Sequence, residues 1–369
     1  MGQQRLRRFV GDRVRGSPRI HDWMKGLENR FELVRHTAGA VVPAIIRPRP
    51  YKLMVSVTSR CNSGCHGCRY GKDFMTGHEL SWPMARDLID DAANAGYYSI
   101  RLYGGEPLLH PDLPKMIERC VDRGMRPYVT TNASLLEQRV DELVDAGLRD
   151  ITVGFYGVGE AYDAYAQRPG LFERVERGIA LTHERYGDTV DMQMNWLLMK
   201  PTGTPQAFRD ARDFAERYNM AIRVDLVHYS LPYFQEGDDR WLQFGPEDRP
   251  AIEAVVEELL LTHEQDPTRM NCTVQGLRSI PDWLIKGPEM RVPCTAYEMI
   301  WVGADGTVQM CYVTFKLGNL HDTRLRDLLG NEAHRCAARD AFQLKCPNCH
   351  CSSSERVMRH GPSRQKYSE

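Results

Sequence analysis

The sequence predicts an α/β protein: a partial (β/α)6 TIM-like barrel followed by a small module made of a β-hairpin and a helix. Three observations carry that expectation. Between residue 51 and residue 230, strand-like and helix-like stretches alternate with a period of roughly thirty residues. Six such units make a parallel sheet with helices outside, and are too few for the eight-fold barrel. From residue 293 the pattern changes to short strands around an Asp305-Gly306 turn, with clustered cysteines.

Lys52–Thr58 reads as the first strand, and Trp82–Ala95 as a helix with Ser81 as N-cap and Gly96 as its stop. The strands that follow are Ser99–Tyr103, Pro127–Thr131, Asp150–Phe155, Thr189–Met199 and Ala221–His228. The helices between them are Leu113–Gly124, Leu135–Gly147, Leu171–Tyr186 and Pro205–Asn219. A loop over 231–239 is expected near the barrel mouth, and Ala251–Thr262 is a helix opened by Pro246 and Asp248. Tyr297–Val302 and Thr307–Tyr312 form the hairpin, and Leu325–Leu329 begins a helical stretch. The expected organisation is a basic extension (1–50), a barrel core (51–230), a connecting segment (231–292), the small module (293–351) and a polar tail (352–369).

The chain has 369 residues, 42% hydrophobic and 26% charged, with a formal net charge of −1. That balance fits a globular enzyme and gives no global field for nucleic acid. No apolar run is long enough to span a bilayer, and no secretory h-region follows the basic start, so a cytoplasmic protein without membrane contact is expected. Residues 1–50 carry 11 Arg/Lys against 4 Asp/Glu. They read either as a surface for an anionic partner or as a solvated extension packing a helix, Ile20 to Val34, on the main domain.

Eleven cysteines are many for such a chain, and in a reducing compartment they read as metal ligands. Cys61, Cys65 and Cys68 have the spacing C-x3-C-x2-C, straight after the apolar run Leu53–Val57. Soft thiolates at that spacing select zinc, copper(I) or an iron–sulfur cluster. Three local ligands without a fourth suggest a cluster with one incompletely ligated iron. The alternative is a zinc knuckle or a chance cluster.

This pattern resembles the signature of the radical S-adenosylmethionine (SAM) superfamily. The resemblance implies a [4Fe–4S] cluster held by Cys61, Cys65 and Cys68, with SAM chelating the fourth iron. Reductive cleavage of SAM then gives a 5′-deoxyadenosyl radical that removes a hydrogen atom from substrate. An external one-electron reductant such as flavodoxin or ferredoxin is implied as partner. The second strand ends in Gly104-Gly105-Glu106-Pro107, where two glycines let backbone approach a ligand and Glu106 can accept from an ammonium group. A plain βα turn is the bland alternative, but the stretch is similar to the superfamily's GGE(P) motif, which binds the SAM amino group. Thr130 and Asn132, at the end of the third strand, lie where similar enzymes contact SAM; Asn132 is equally a helix cap. Asn195, polar in an apolar strand, is expected to point into the barrel. His228 is either a substrate contact or a structural histidine. Two departures stand out. Gly67 occupies the usual aromatic position before the third cysteine, with Tyr70 or Phe74 as substitutes. Gly154-Phe155-Tyr156-Gly157 stands where many relatives have Ser-x-Asp.

Cys294 and Cys311 flank the hairpin, and Cys346, Cys349 and Cys351 follow at the far end. A four-thiolate site follows from that arrangement, for zinc or a cluster. The module resembles the SPASM/twitch extension of radical SAM enzymes, C-x(9–15)-G-x4-C and distal cysteines. Its distal set is short, which implies the twitch-like version with one auxiliary [4Fe–4S] cluster. The resemblance covers roughly residues 51–351.

The expected reaction is hydrogen abstraction from a small polar metabolite of the sugar, aminocyclitol or nucleoside type, in natural-product (antibiotic) biosynthesis. Dehydrogenation of a carbinol follows if the auxiliary cluster takes an electron, and epimerisation if a thiol returns hydrogen. Cys272 is the candidate donor, ahead of Cys336 and Cys120, although a lone cysteine is commonly a small buried filler. Peptide modification is an alternative, and a non-catalytic iron–sulfur or zinc protein is the rival from another class.

Overall fold

The computed structural model describes residues 18–228, 241–311 and 314–368. The basic run at residues 5–15, the loop at 231–239 and the expected hairpin end at Tyr312 lie outside the described residues.

Helix α1 (Pro18–Val41) precedes strand β1 (Lys52–Thr58), and five further strands alternate with helices: α2 (Trp82–Ala95), β2 (Ser99–Gly104), α3 (Leu113–Asp122), β3 (Arg126–Thr131), α4 (Leu136–Asp145) and β4 (Asp150–Phe155). Two helices, α5 (Glu160–Ala166) and α6 (Leu171–Tyr186), separate β4 from β5 (Asp191–Leu198); α7 (Pro205–Arg217) leads to β6 (Ala221–Leu226). Then come α8 (Arg249–Gln265), α9 (Val274–Arg278) and α10 (Ile280–Lys286). The C-terminal part holds β7 (Met299–Val302), β8 (Thr307–Gln309), β9 (Lys316–Asn319), α11 (Leu325–Leu328), α12 (Glu332–Phe342), α13 (Ser353–Arg359) and α14 (Gly361–Lys366).

All nine strands form one sheet in the order β6-β5-β4-β3-β2-β1-β7-β8-β9. The first six are the parallel βα units the sequence predicts. The hairpin does not stand apart from them. Its first strand, β7, pairs parallel with β1, from Lys52 opposite Met299 to Val55 opposite Val302. Periodicity cannot reveal that pairing, because a strand's neighbour is not written in its own pattern.

Alternation sorts the strand residues. Leu53, Val55 and Val57 face the helices and join the main core with Leu88, Ile89 and Ala92 of α2. Burying each large aliphatic side chain stabilises the fold by roughly 1.5–3 kcal/mol. Met54, Tyr103, Met299 and Trp301 point to the opposite, concave face. The sheet is curled: the charges of Arg101 on β2 and Arg223 on β6 act on each other, whereas in a flat sheet four strand spacings would separate them by about 19 Å.

Helix α1 packs on the C-terminal part rather than on the barrel. His36 bonds the Tyr297 hydroxyl at 2.7 Å, Arg49 pairs with the buried Glu32, and Arg359 pairs with Glu298 at 2.9 Å. Within the polar tail, residues 353–366 form two helices that hold the buried Arg356, Val357 and Ser363. Arg324, just before α11, forks onto the buried Asp91 of α2, with both bonds at 2.9 Å.

Candidate functional site

Cys61, Cys65 and Cys68 lie on the loop that leaves β1. Their thiols are close enough that Cys65 senses both others. Burial pushes the Cys61 thiol up to about 12 and raises Cys65 and Cys68 as well. Thiols this reluctant to ionise stay protonated unless a metal deprotonates them. The loop is fixed from outside by α5, since Gly64 and His66 donate to the carbonyls of Ala166 (3.1 Å) and Tyr165 (2.8 Å). Arg168 caps the Asn62 carbonyl.

The glycine pair holds the root of this loop. Gly104 has a φ of +142°, where a side chain is strained. A Cβ on Gly105 would stand 2.7 Å from the Ser59 carbonyl oxygen and closer still to that of Arg60. The motif thus lets β2's exit lie against the backbone that leads to Cys61.

Glu106 is fully buried, and burial pushes its carboxyl up to about 7 against three donors. Those donors are the Thr131 hydroxyl (2.7 Å) and the amides of Asn132 (2.8 Å) and Leu108 (3.0 Å). A carboxylate offers about four lone-pair sites, so one remains for a ligand amine, and the side chain also pins the ends of β2 and β3 together. Asn132 does not cap α4, where Leu135 holds the cap position. Its amide donates to Asn62 (2.8 Å) and Ser63 (3.2 Å) in the cysteine loop, and its oxygen accepts from Ser134. Thr130 faces inward and accepts from Arg101 Nε at 2.8 Å.

Across the concave face runs a ladder of polar groups. Asn271 donates to Gln193 (2.9 Å), Gln193 to Asn195 (3.1 Å) and Asn195 to Asp225 (3.0 Å). Asn195 points inward as expected, with its amide engaged on both sides. Cys272 packs on the main core, and its neighbour Asn271 is the residue that joins the ladder. His228 stacks on His350 with ring centroids 4.5 Å apart. Tyr70 and Phe74 meet edge to face at 5.1 Å. At the end of β4, Tyr156 packs on Tyr165 at 4.4 Å.

The second cysteine group lines a small cavity: Cys294, Cys311, Cys346, Cys349 and Cys351 all contribute to its wall. Burial pushes Cys294 up to about 11. Cys351 donates to Cys349, which lowers the Cys349 thiol and raises that of Cys351. Five thiols around one cavity fit a four-thiolate cluster with one to spare. Cys336 is not on that wall: it donates to Glu332 at 3.3 Å on α12. Among the described residues, no three His, Cys, Asp or Glu side chains are gathered to hold a single metal ion.

The two cysteine groups sit at opposite ends of one strand pair. Cys61 follows β1, whereas Cys294 precedes the parallel β7 and Cys311 follows the antiparallel β8. The six-residue rise of β1 separates the two ends by roughly 20 Å. A packed cluster of Met54, Tyr70, Tyr103, Met299 and Trp301 fills the space, touching Cys68 at one end and Cys311 and Cys351 at the other. Sequence reasoning missed this cluster, because alternating strand residues do not announce which neighbour they meet, and it missed Arg356, which composition leaves in a polar tail.

A family model of the radical SAM superfamily matches residues 55–200. A model of an iron–sulfur cluster-binding domain, SPASM, matches residues 294–351. The chain is 31% identical over 288 residues to a probable GTP 3′,8-cyclase of Methanosarcina acetivorans, covering 74% of this chain and 80% of that one. It is 27% identical over 217 residues to the Fe-coproporphyrin III synthase of Methanosarcina barkeri, covering 57% of this chain. That match spans about half, 52%, of the synthase's length. The solved structure of anSMEcpe with bound AdoMet superposes with a TM-score of 0.64 at 16% identity, over 86% of this chain and 96% of that one, a likeness of fold. Among the described residues no helix is long and apolar enough to cross a membrane.

Proposed function

This chain belongs to the radical SAM superfamily, and from that premise we propose that it dehydrogenates a carbinol carbon of a small polar metabolite, of sugar, aminocyclitol or nucleoside type. Bound SAM and the first [4Fe–4S] cluster supply the 5′-deoxyadenosyl radical, and an auxiliary [4Fe–4S] cluster supplies an electron acceptor. Cys61, Cys65 and Cys68 would hold the first. Cys294, Cys311 and two of Cys346, Cys349 and Cys351 would hold the second. Gly104, Gly105, Glu106, Thr130, Asn132 and Asn195 shape the space for SAM.

The observation that carries this reading is the five-cysteine cavity at the far end of the same concave face. A carbinol radical needs to lose one proton and one electron to become a carbonyl, and a fully thiolate-ligated cluster is a suitable sink for the electron. Epimerisation would need a hydrogen donor facing the substrate, and the packing of Cys272 on the main core favours oxidation instead. Two relatives are named for a nucleotide and a tetrapyrrole, both small molecules, and this supports a metabolite over a peptide. The polar ladder from Asn271 to Asp225 suits such a ligand. The first electron would come from an external one-electron reductant such as flavodoxin or ferredoxin.

The test is anaerobic incubation of the reconstituted enzyme with SAM, reductant and panels of sugars, aminocyclitols, nucleosides and peptides. A product two hydrogens lighter, matched by 5′-deoxyadenosine, supports dehydrogenation. Solvent deuterium at an inverted carbon would show epimerisation and overturn it. Turnover of peptides alone would overturn the substrate class.

A further inference from the structure

Arg356 on α13 is wholly buried and lines the five-cysteine cavity. Its guanidinium donates to the Val292 carbonyl (3.1 Å from Nε), to the Cys349 carbonyl and to the Asn348 side-chain oxygen (3.1 Å). One face lies 4.7 Å from the centroid of the Trp283 ring. Every one of these partners is neutral. Among the described residues no carboxylate pairs with Arg356, although Arg49, Arg324 and Arg359 each have one. A buried charge without a counter-charge is strongly destabilising. Neutral carbonyls orient a guanidinium but do not cancel its charge. On the other side of the cavity stand thiols, and the charge of Arg356 acts on Cys294, Cys346 and Cys349.

We propose that Arg356 is the built-in counter-ion of the auxiliary cluster and holds its reduction potential up. This rests on reading the cavity as the cluster's seat. Four thiolates on a 2+ cubane core leave a net negative charge, and one-electron reduction of the core deepens it. A fixed cation at the wall favours the reduced, more negative state, the more so because Arg356 is buried. The electron itself comes from the substrate radical or the external reductant. Arg356 moves no proton and forms no bond. It is a positioning residue for charge, and it lies beyond the cluster-domain match that ends at Cys351.

The experiment is an EPR-monitored redox titration of the anaerobically reconstituted full chain as wild type, Arg356→Met and Arg356→Lys. The first cluster's signal is the one that changes when SAM is added, so the auxiliary signal can be followed separately. Arg356→Met should lower the auxiliary cluster's equilibrium constant for reduction at least tenfold, about 59 mV for one electron, and leave the first cluster unmoved. Arg356→Lys should recover most of the shift. An Arg356→Met protein with both clusters and an unmoved auxiliary potential overturns the proposal. If Arg356→Met assembles only the first cluster, the lysine variant decides: two clusters near the wild-type potential support a role of charge, and loss in both variants overturns it. Iron analysis separates the two failures. A wild type with about four irons instead of about eight sinks the reading of the cavity as well, whereas about eight irons with an unmoved potential sinks Arg356 alone.

Discussion

The amide of Glu106 donates to the carbonyl of Arg60 at 2.7 Å, and the amide of Gly105 donates to that of Thr58 at 2.8 Å. Two backbone bonds therefore clamp the residues before Cys61 onto the glycine turn. Gly105→Ala puts a methyl group into that clamp, and overpacking of this kind costs roughly 1–3 kcal/mol. The strain falls on the cysteine loop. We expect the variant to fold, to lose about half its iron after reconstitution, and to show no SAM-dependent change in its EPR signal. Full iron with a normal SAM response would show that the clamp does not position the loop.

Asn132 gives the loop its second anchor. Asn132→Ala removes the bonds to Asn62 and Ser63 and leaves the buried-side partner Ser134 one acceptor short. Unmade buried bonds cost about 1–3 kcal/mol. The expected outcome is SAM binding weakened by roughly tenfold, which corresponds to about 1.4 kcal/mol, with the auxiliary cluster intact. Isothermal titration with SAM measures it; an unchanged affinity would assign Asn132 to local turn structure only.

The docking of α1 should depend on pH through His36. Burial, aided by the Arg359 charge, lowers this histidine to about 3, while an unfolded histidine titrates near about 6.5. Between those values the detached helix binds a proton that the docked one does not. Docking stability is therefore full above about pH 6.5 and falls as the pH drops, by about 1.4 kcal/mol per unit. Limited proteolysis of α1 should accelerate from pH 7.5 to pH 5.5 in the wild type. His36→Gln, which cannot take the proton, should be cut at a rate that hardly changes over that range; equal pH dependence in both proteins would rule His36 out.

The cavity holds one thiol more than a cubane needs. Serine at Cys294 or at Cys311 should abolish the auxiliary cluster. Of the three distal cysteines, one should tolerate serine with no loss of iron. Cys336→Ser should keep both clusters, because Cys336 is spent on Glu332 of its own helix. Iron and sulfide counts on six single variants check this, and loss of iron in Cys336→Ser would mean that α12 has been misjudged.

Most of the parallel sheet and its helices is legible in the sequence. Lys52–Thr58, Trp82–Ala95, Asp150–Phe155 and Leu171–Tyr186 match their expected limits, because each is a periodic run bounded by breakers. What escaped was relational. Helix α5 is a short tyrosine-rich turn after a glycine, with no apolar period to mark it, yet it holds the cysteine loop. The pairing of β7 with β1 joins residues more than two hundred positions apart. Arg356 falls in a stretch that composition marks only as a polar tail, and burial gives it meaning. The cysteine positions were readable because ligand chemistry restricts residue type, whereas the cation beside them answers to the summed charge of the site.

The pairing of β1 with β7 bears on how the holoenzyme is assembled. The two cysteine groups lie at opposite ends of that pair, roughly 20 Å apart, with packed side chains between them, so iron and sulfide can reach one group without passing through the other. Maturation need have no fixed order, and half-loaded proteins carrying either cofactor alone are accessible stages on the way to the complete form.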